Sequence, residues 1–380
     1  HATINNCYYD AGLLIDDDDT MYVAYGNGTI RVAELSADGT SEVQSQQVYT
    51  SGVTLEGSRM FKRDGDYYIL LTRPPNAEFV LRSTNGPFGP YEIRTIVDNV
   101  GAPVSGAGAP HQGGFVETQN GDWYYMAFID AYPGGRMPVL APVTWSDGWP
   151  SVTLVDGRWG SSYPHPDVPE HPVVKSSIGR DTFDGTALGH EWEWNHNPDN
   201  SKWSVNDGLV LQTATVTTNL NAARNTITRR IPGPGATATI ELDISDMADG
   251  DRTGLALLRQ SSAWVGVKRS GGVSSVVMVN GITMDKNDNW STSSTGSEVA
   301  SAPLSGDRVW LRATVDIRPG SGRTGSFSWS SDGVTFTPIG NNHTLITEWE
   351  FFMGYRFAIF NYATSALGGQ VTVESFEVTQ

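Results

Sequence analysis

The chain has 380 residues, enough for two domains that each bury a core of their own. Asp and Glu number 42 against 25 Lys and Arg, and the resulting net charge of −17 argues against nucleic-acid phosphates and anionic membrane surfaces as partners. No apolar run reaches the roughly 18 residues of a membrane-spanning helix, and the single cysteine, Cys7, rules out an internal disulfide. The first residues, His1 to Asn6, lack the basic start and apolar stretch of a signal peptide, so the chain reads as processed or as lacking its true start. Asn27-Gly28-Thr29, Asn289-Trp290-Ser291 and Asn342-His343-Thr344 fit the N-glycosylation triplet of a secreted eukaryotic protein.

Gly (42), Pro (20), Trp (12) and Tyr (14) are abundant, while apolar residues at helical spacing are absent, so the predicted class is all-β. Three early segments repeat one pattern, an acidic or polar turn followed by an aromatic-rich strand: Asp17 to Tyr25, Arg63 to Leu71 and Gln119 to Ala127. Asp64-Gly65 and Asn120-Gly121 tolerate positive φ at both turn positions and mark hairpins. Tyr22, Tyr68 and Tyr124 stand 46 and 56 residues apart, which fits one four-stranded blade per repeat and predicts a β-propeller; a sandwich with three similar hairpins is the alternative. Asp16 to Asp19 lack the glycine and distal glutamate of a calcium loop and read as a solvated turn.

From Gly157 the composition shifts to Ser, Pro, His and Gly, predicting a linker over 157–178 strapped across a domain surface. The expected domains are therefore a propeller over 1–156 and, over 179–380, a β-sandwich. Within the latter, Val309 to Ile317 alternates apolar and polar residues, Asp332-Gly333 is expected to turn Phe327-Ser328-Trp329 back into Val334-Thr335-Phe336, and about nine strands are predicted in all. Metal-ligand spacing, a Walker loop, a Gly-x-Ser-x-Gly elbow and a Cys-His pair are missing. Carboxylates and aromatics remain, the equipment of a polysaccharide handler that either cleaves or binds.

Five motifs then fall in one order: Tyr8-Tyr9-Asp10-Ala11-Gly12 before an acidic turn, Leu55-Glu56-Gly57-Ser58, Ser83 to Glu92 with Gly86-Pro87 and Gly89-Pro90-Tyr91, His111-Gln112-Gly113-Gly114, and Gly135-Arg136 with Trp145 to Pro150. Together they resemble the propeller of glycoside hydrolase family 43. Asp181-Thr182-Phe183-Asp184-Gly185, Trp192 to Pro198 and Asn225 to Arg230 resemble the concanavalin-like, jelly-roll-like sandwich appended to its arabinofuranosidases and β-xylosidases.

The resemblance implies a partial five-bladed propeller, roughly blades 2–5, followed by the sandwich. It also implies an inverting mechanism with Glu56 as general acid and Asp10 as the aspartate that orients it and adjusts its pKa. The catalytic base is expected on a missing N-terminal segment, which would be this chain's partner along with plant cell-wall arabinoxylan or arabinan. Tyr9 is expected as a wall of the sugar pocket or a core tyrosine, and Arg136 as a ligand of sugar hydroxyls or one half of a structural salt bridge. His111 is expected at the propeller axis, contacting substrate, water or a calcium ion, or as a satisfied core histidine. No cofactor is required for this chemistry, although a structural calcium is compatible with it. The implied activity is that of a secreted, extracellular α-L-arabinofuranosidase; a β-xylosidase or a non-catalytic carbohydrate-binding fragment are the alternatives.

Overall fold

The computed structural model describes residues 6–169, 176–320 and 323–380, and its chain divides into two compact units, His1–Ala131 with Arg136–His171 and Tyr132–Gly135 with Pro172–Gln380. The described residues are strands and loops, with two single 3₁₀ turns at Leu220–Ala222 and Lys286–Asp288. Among them no helix is long and apolar enough to cross a membrane. The expected all-β class is what the chain adopts.

The first unit contains three four-stranded antiparallel sheets in which consecutive strands are neighbours. The first comprises β1 (Gly12–Ile15), β2 (Met21–Asn27), β3 (Thr29–Leu35) and β4 (Glu42–Thr50). β5 (Glu56–Arg63), β6 (Asp66–Arg73), β7 (Ala77–Ser83) and β8 (Glu92–Asp98) make the second. The third is β9 (His111–Glu117), β10 (Trp123–Asp130), β11 (Arg136–Ser146) and β12 (Trp149–Val152). These are the three repeats, one blade each. The motifs at His111 and at Arg136 belong to the same sheet, on β9 and β11, because β10 joins them as a simple meander. The described residues therefore form one blade fewer than the span of blades 2–5.

Alternation along the strands explains how the blades stack. On β6, Ile69 and Leu71 face the first blade and pack with Ala24, Ile30 and Val32. Tyr68 and Leu70 face the third, where Trp149, Phe115 and Trp145 close the gap. Phe61 stacks on Tyr68 at 4.9 Å between centroids and meets Phe115, Trp123 and Trp145 edge-on or tilted, so aromatic area holds this seam. Asp64-Gly65 has positive φ at both positions, as a tight hairpin demands, whereas at Asn120-Gly121 only the glycine does. Asp16 is not a solvated turn residue: its carboxylate, 7% exposed, binds Lys62 Nζ and the Tyr67 hydroxyl and so ties the β1–β2 turn to the second blade. Beyond β12, residues 157–169 of the expected linker lie on this unit, whereas 176–178 belong to the second. Trp159 is buried, Tyr163 donates to the Thr153 carbonyl at 2.7 Å, and the Asn120 amide donates to the Asp167 carbonyl at 2.7 Å. Residues 170–175 of that linker lie outside the described residues.

The second unit is a sandwich of a nine-stranded and a seven-stranded antiparallel sheet. Its core is built from inward residues such as Ile240, Leu255, Val265, Leu311, Phe357 and Phe376. The strand predicted from Val309 forms over Arg308–Asp316. The return strand predicted over Val334–Phe336 does not: pairing resumes only at Thr337, because the Asp332 carboxylate captures the Val334 and Thr335 amides at 2.8 Å each and draws them away from the ladder.

Candidate active site

Asp10 and Glu56 are brought together by a close approach of two strand starts. Gly12, two residues after Asp10, packs against the backbone of β5: a Cβ there would stand 2.4 Å from the Ser58 oxygen and 2.8 Å from Arg59 Cα. Only glycine permits that contact. Asp10 itself adopts φ 49°, which ends the incoming chain before β1. On the other side, β5 carries a bulge between Glu56 and Arg59, with Gly57 at φ 72°, so Glu56 leaves the regular ladder at the strand end.

A third element joins the two. The Gly26 N–H donates to the Tyr9 carbonyl at 3.0 Å, and the Gly28 N–H donates to the Leu55 carbonyl at 2.9 Å. The corner between β2 and β3 thus straddles both motifs, and the residue at its apex, Asn27, donates its side-chain amide to Glu56 Oε2 at 2.9 Å. The Tyr9 hydroxyl donates to the same oxygen at 3.3 Å. Sequence reasoning missed Asn27, seeing only a glycosylation triplet; its signal is the Gly-Asn-Gly corner, which shows its purpose only once the register is known.

Glu56 is half-buried, and its pKa is raised, first by burial and then by the Asp10 charge, against smaller opposing contributions from the Tyr9 hydroxyl and the Arg136 guanidinium. The Tyr9 phenol is in turn raised, chiefly by the Glu56 charge. Arg136 opens β11, ion-pairs with Asp130 at 3.3 Å and lies over the Phe128 ring at 4.3 Å. The salt bridge is therefore present, and the guanidinium also acts on Glu56. His111 is 1% exposed and its Nδ1–H donates to the Ala109 carbonyl at 2.9 Å, which leaves Nε2 as the acceptor nitrogen; the ring sits 4.6 Å from that of Phe128. Its pKa is lowered by burial, with Asp130 opposing and Arg136 reinforcing. Tyr9, Asp10, Glu56, Arg136 and His111 thus belong to one linked neighbourhood of the first unit.

Among the described residues no group of three or more His, Cys, Asp and Glu side chains is arranged to hold a metal ion. His111 contributes a nitrogen and Asp130 is engaged by Arg136, a poor match to the oxygen cage calcium takes, so no step below passes through a metal.

A glutamate of raised pKa beside a second carboxylate, carried on stacked four-stranded antiparallel sheets, is the kind of arrangement that glycoside hydrolysis uses. Residues 1–150 match the family described as Glycosyl hydrolases family 43, and residues 180–379 match the Beta xylosidase C-terminal Concanavalin A-like domain. A solved family 43 glycoside hydrolase, engineered at its active site to display both endo-xylanase and exo-arabinofuranosidase activity, is 49% identical; it aligns over 100% of this chain and 76% of its own, with a TM-score of 0.95. A Beta-xylosidase of Formosa agariphila is 25% identical over 91% of this chain and 63% of its own length. A non-reducing end alpha-L-arabinofuranosidase of Bacteroides ovatus is 26% identical over 67% of this chain and 51% of its own. The chain belongs to glycoside hydrolase family 43. It spans roughly half to two thirds of the length of these two curated relatives.

Proposed function

We propose that this chain is part of a secreted exo-acting glycosidase that removes α-L-arabinofuranosyl side chains from arabinoxylan or arabinan by single displacement with inversion. The observation that carries the reading is the Glu56 carboxyl, half-buried, raised in pKa by burial and by Asp10, and held from two sides by Tyr9 and Asn27. Glu56 in its protonated form donates to the departing glycosidic oxygen while a base on the opposite face of the sugar deprotonates water. Asp10 keeps that proton in place by like-charge repulsion, and Arg136 limits the effect. Tyr9, 47% exposed, offers its ring to the C–H face of a furanose. The base belongs, in this proposal, to a segment outside this sequence, since Asp10 already stands beside Glu56, where its charge raises the Glu56 pKa. The arabinose specificity is supported by the exo-arabinofuranosidase activity named for the 49% identical relative.

A second reading, β-xylosidase on xylo-oligosaccharides, is favoured by the name of the Formosa relative and by the match of residues 180–379. Incubating the intact enzyme with arabinoxylan and with xylo-oligosaccharides, followed by sugar chromatography, separates the two. Arabinose alone supports the first reading and xylose alone the second. Binding without release of either sugar overturns both in favour of a carbohydrate-binding protein. The anomer formed first, followed by proton NMR, tests inversion.

A further inference from the structure

Beneath Glu56 lies a carboxyl that the mechanism above does not use. Glu78 belongs to β7, is 0% exposed, and is the one acidic residue in an otherwise apolar stretch, Ala77-Glu78-Phe79-Val80-Leu81. In the ladder Glu56 pairs with Thr72 and Thr72 with Glu78, so the two glutamates stand two strands apart in one row, about 10 Å between Cα atoms by ordinary strand spacing. Glu78 Oε2 reaches across the seam between blades and accepts the backbone N–H of Gln112 at 2.9 Å. Gln112 is held at φ 47°, a left-handed conformation that a non-glycine residue keeps only when its surroundings enforce it. Its side chain then lies against Gly57, where a Cβ would stand 3.3 Å from both Gln112 Cγ and Nε2 and 3.2 Å from Thr72 Cγ2. Gly57 is the residue after Glu56.

We infer that Glu78 is a positioning residue for Glu56: by clamping the Gln112 amide it fixes the left-handed turn whose side chain forms the floor under the Glu56–Gly57 peptide. The inference rests on the reading of Glu56 as proton donor. A carboxyl suits the task because it can stay neutral there. Burial pushes its pKa up to about 8, against weaker opposing contributions from the Gln112 amide it binds and from the nearby polar groups of Tyr125, Gly113 and Thr72. Glu78 Oε1 and the neighbouring Tyr125 hydroxyl are both buried and form no hydrogen bond in this geometry, which suits a protonated carboxyl at Oε1 better than a bare carboxylate. A neutral Glu78 orients the floor without adding a second charge below Glu56.

A general acid matters for poor leaving groups and hardly at all for good ones, and this separates a displaced Glu56 from a loosened fold. In the complete enzyme, Glu78→Leu should lower kcat on glycosides with phenol-like leaving groups by roughly 10²-fold, the cost of a displacement near 1 Å, and on 2,4-dinitrophenyl glycosides by less than about 5-fold. Glu78→Gln, which keeps an acceptor for the Gln112 amide, should recover most of that loss. Gln112→Ala removes the floor with the buried carboxyl left in place and should reproduce the leaving-group-selective defect, which keeps the inference testable should Glu78→Leu not fold. An equal loss on both substrate types in Gln112→Ala, or no loss, overturns the inference. Glu56→Ala is the control: if that variant shows no leaving-group dependence, the proton-donor reading falls first and takes this one with it, whereas a selective Glu56→Ala with unselective Gln112→Ala sinks only the role of Glu78.

Discussion

Gly12 is the residue at which the site's assembly can be perturbed without touching a carboxylate. In Gly12→Ala the new methyl group would stand 2.4 Å from the Ser58 oxygen and 2.8 Å from Arg59 Cα, where ordinary contact begins at 3.4 Å. Both obstacles are backbone, so no rotamer change relieves them, and β1 and β5 must separate by about 1 Å, the shortfall from normal van der Waals distance. Asp10 and Glu56 each lie two residues from the contact and move with it. Overpacking of this kind costs about 1–3 kcal/mol, which in a unit of this size lowers Tm by several degrees. A displacement of about 1 Å in a catalytic pair costs on the order of 10²-fold in kcat/KM, or about 2.7 kcal/mol of transition-state stabilisation. Gly52→Ala is the matched control, since nothing lies within 4 Å of a Cβ at Gly52. The assays are calorimetric Tm and kcat/KM on an aryl glycoside in the complete enzyme. A Gly12→Ala protein within about twofold of wild type in kcat/KM would refute the claim that this close approach builds the site.

Four further outcomes are expected. Glu56→Gln should lower kcat on natural substrates by about 10²–10⁴-fold and largely spare 2,4-dinitrophenyl glycosides in steady-state assays. Tyr9→Phe removes a bond that lowers the Glu56 pKa and should move the basic limb of the pH–rate profile upward, whereas Asp10→Asn removes a charge that raises it and should move that limb downward. Glu78 titrates near 8 in the folded protein and in the ordinary carboxylate range when unfolded, so the unfolded state loses its proton first and stability falls as pH rises between those values. Tyr125, its titratable neighbour, stays neutral throughout because burial raises its pKa well above the usual value; calorimetry should therefore find the Tm of Glu78→Gln gaining on wild type from pH 5 to pH 8. In the sandwich, Arg259 is 1% exposed and donates to the carbonyls of Met353, Ile346 and Glu348 at 2.6, 3.0 and 2.5 Å. Arg259→Leu leaves three carbonyls short of a donor and should cost several kcal/mol in denaturant titrations.

How much of this was legible beforehand follows from the range over which each signal acts. The repeats at Tyr22, Tyr68 and Tyr124 are local, period-two patterns with turn residues at their edges, and they became three blades. A span of four blades was expected where three sheets are described, because the His111 and Arg136 motifs stand on either side of β10 in one meander, and spacing along the chain does not report sheet membership. Asp16 was misread for a similar reason: an aspartate in a turn is ordinarily solvated, and only the register of β5 against β6 delivers Lys62 and Tyr67 to it. The candidate carboxylates were found by family likeness, since nothing in local chemistry separates Glu56 from a surface glutamate before a glycine. Glu78 did leave a local trace, a charge inside a buried strand, but its function depends on Gln112, contributed by the next blade.

The Gly26–Gly28 corner also bears on how the enzyme is produced. Asn27 begins an Asn-Gly-Thr triplet, and it is exposed, so a eukaryotic secretory host can modify the very nitrogen that now donates to Glu56. A glycan attached there would stand beside the Glu56 carboxyl, and a yeast-made preparation should be well folded yet sluggish until endoglycosidase treatment or Asn27→Gln clears the attachment point. Bacterial expression carries no such penalty, so the choice of host alone should change the measured turnover of one and the same sequence.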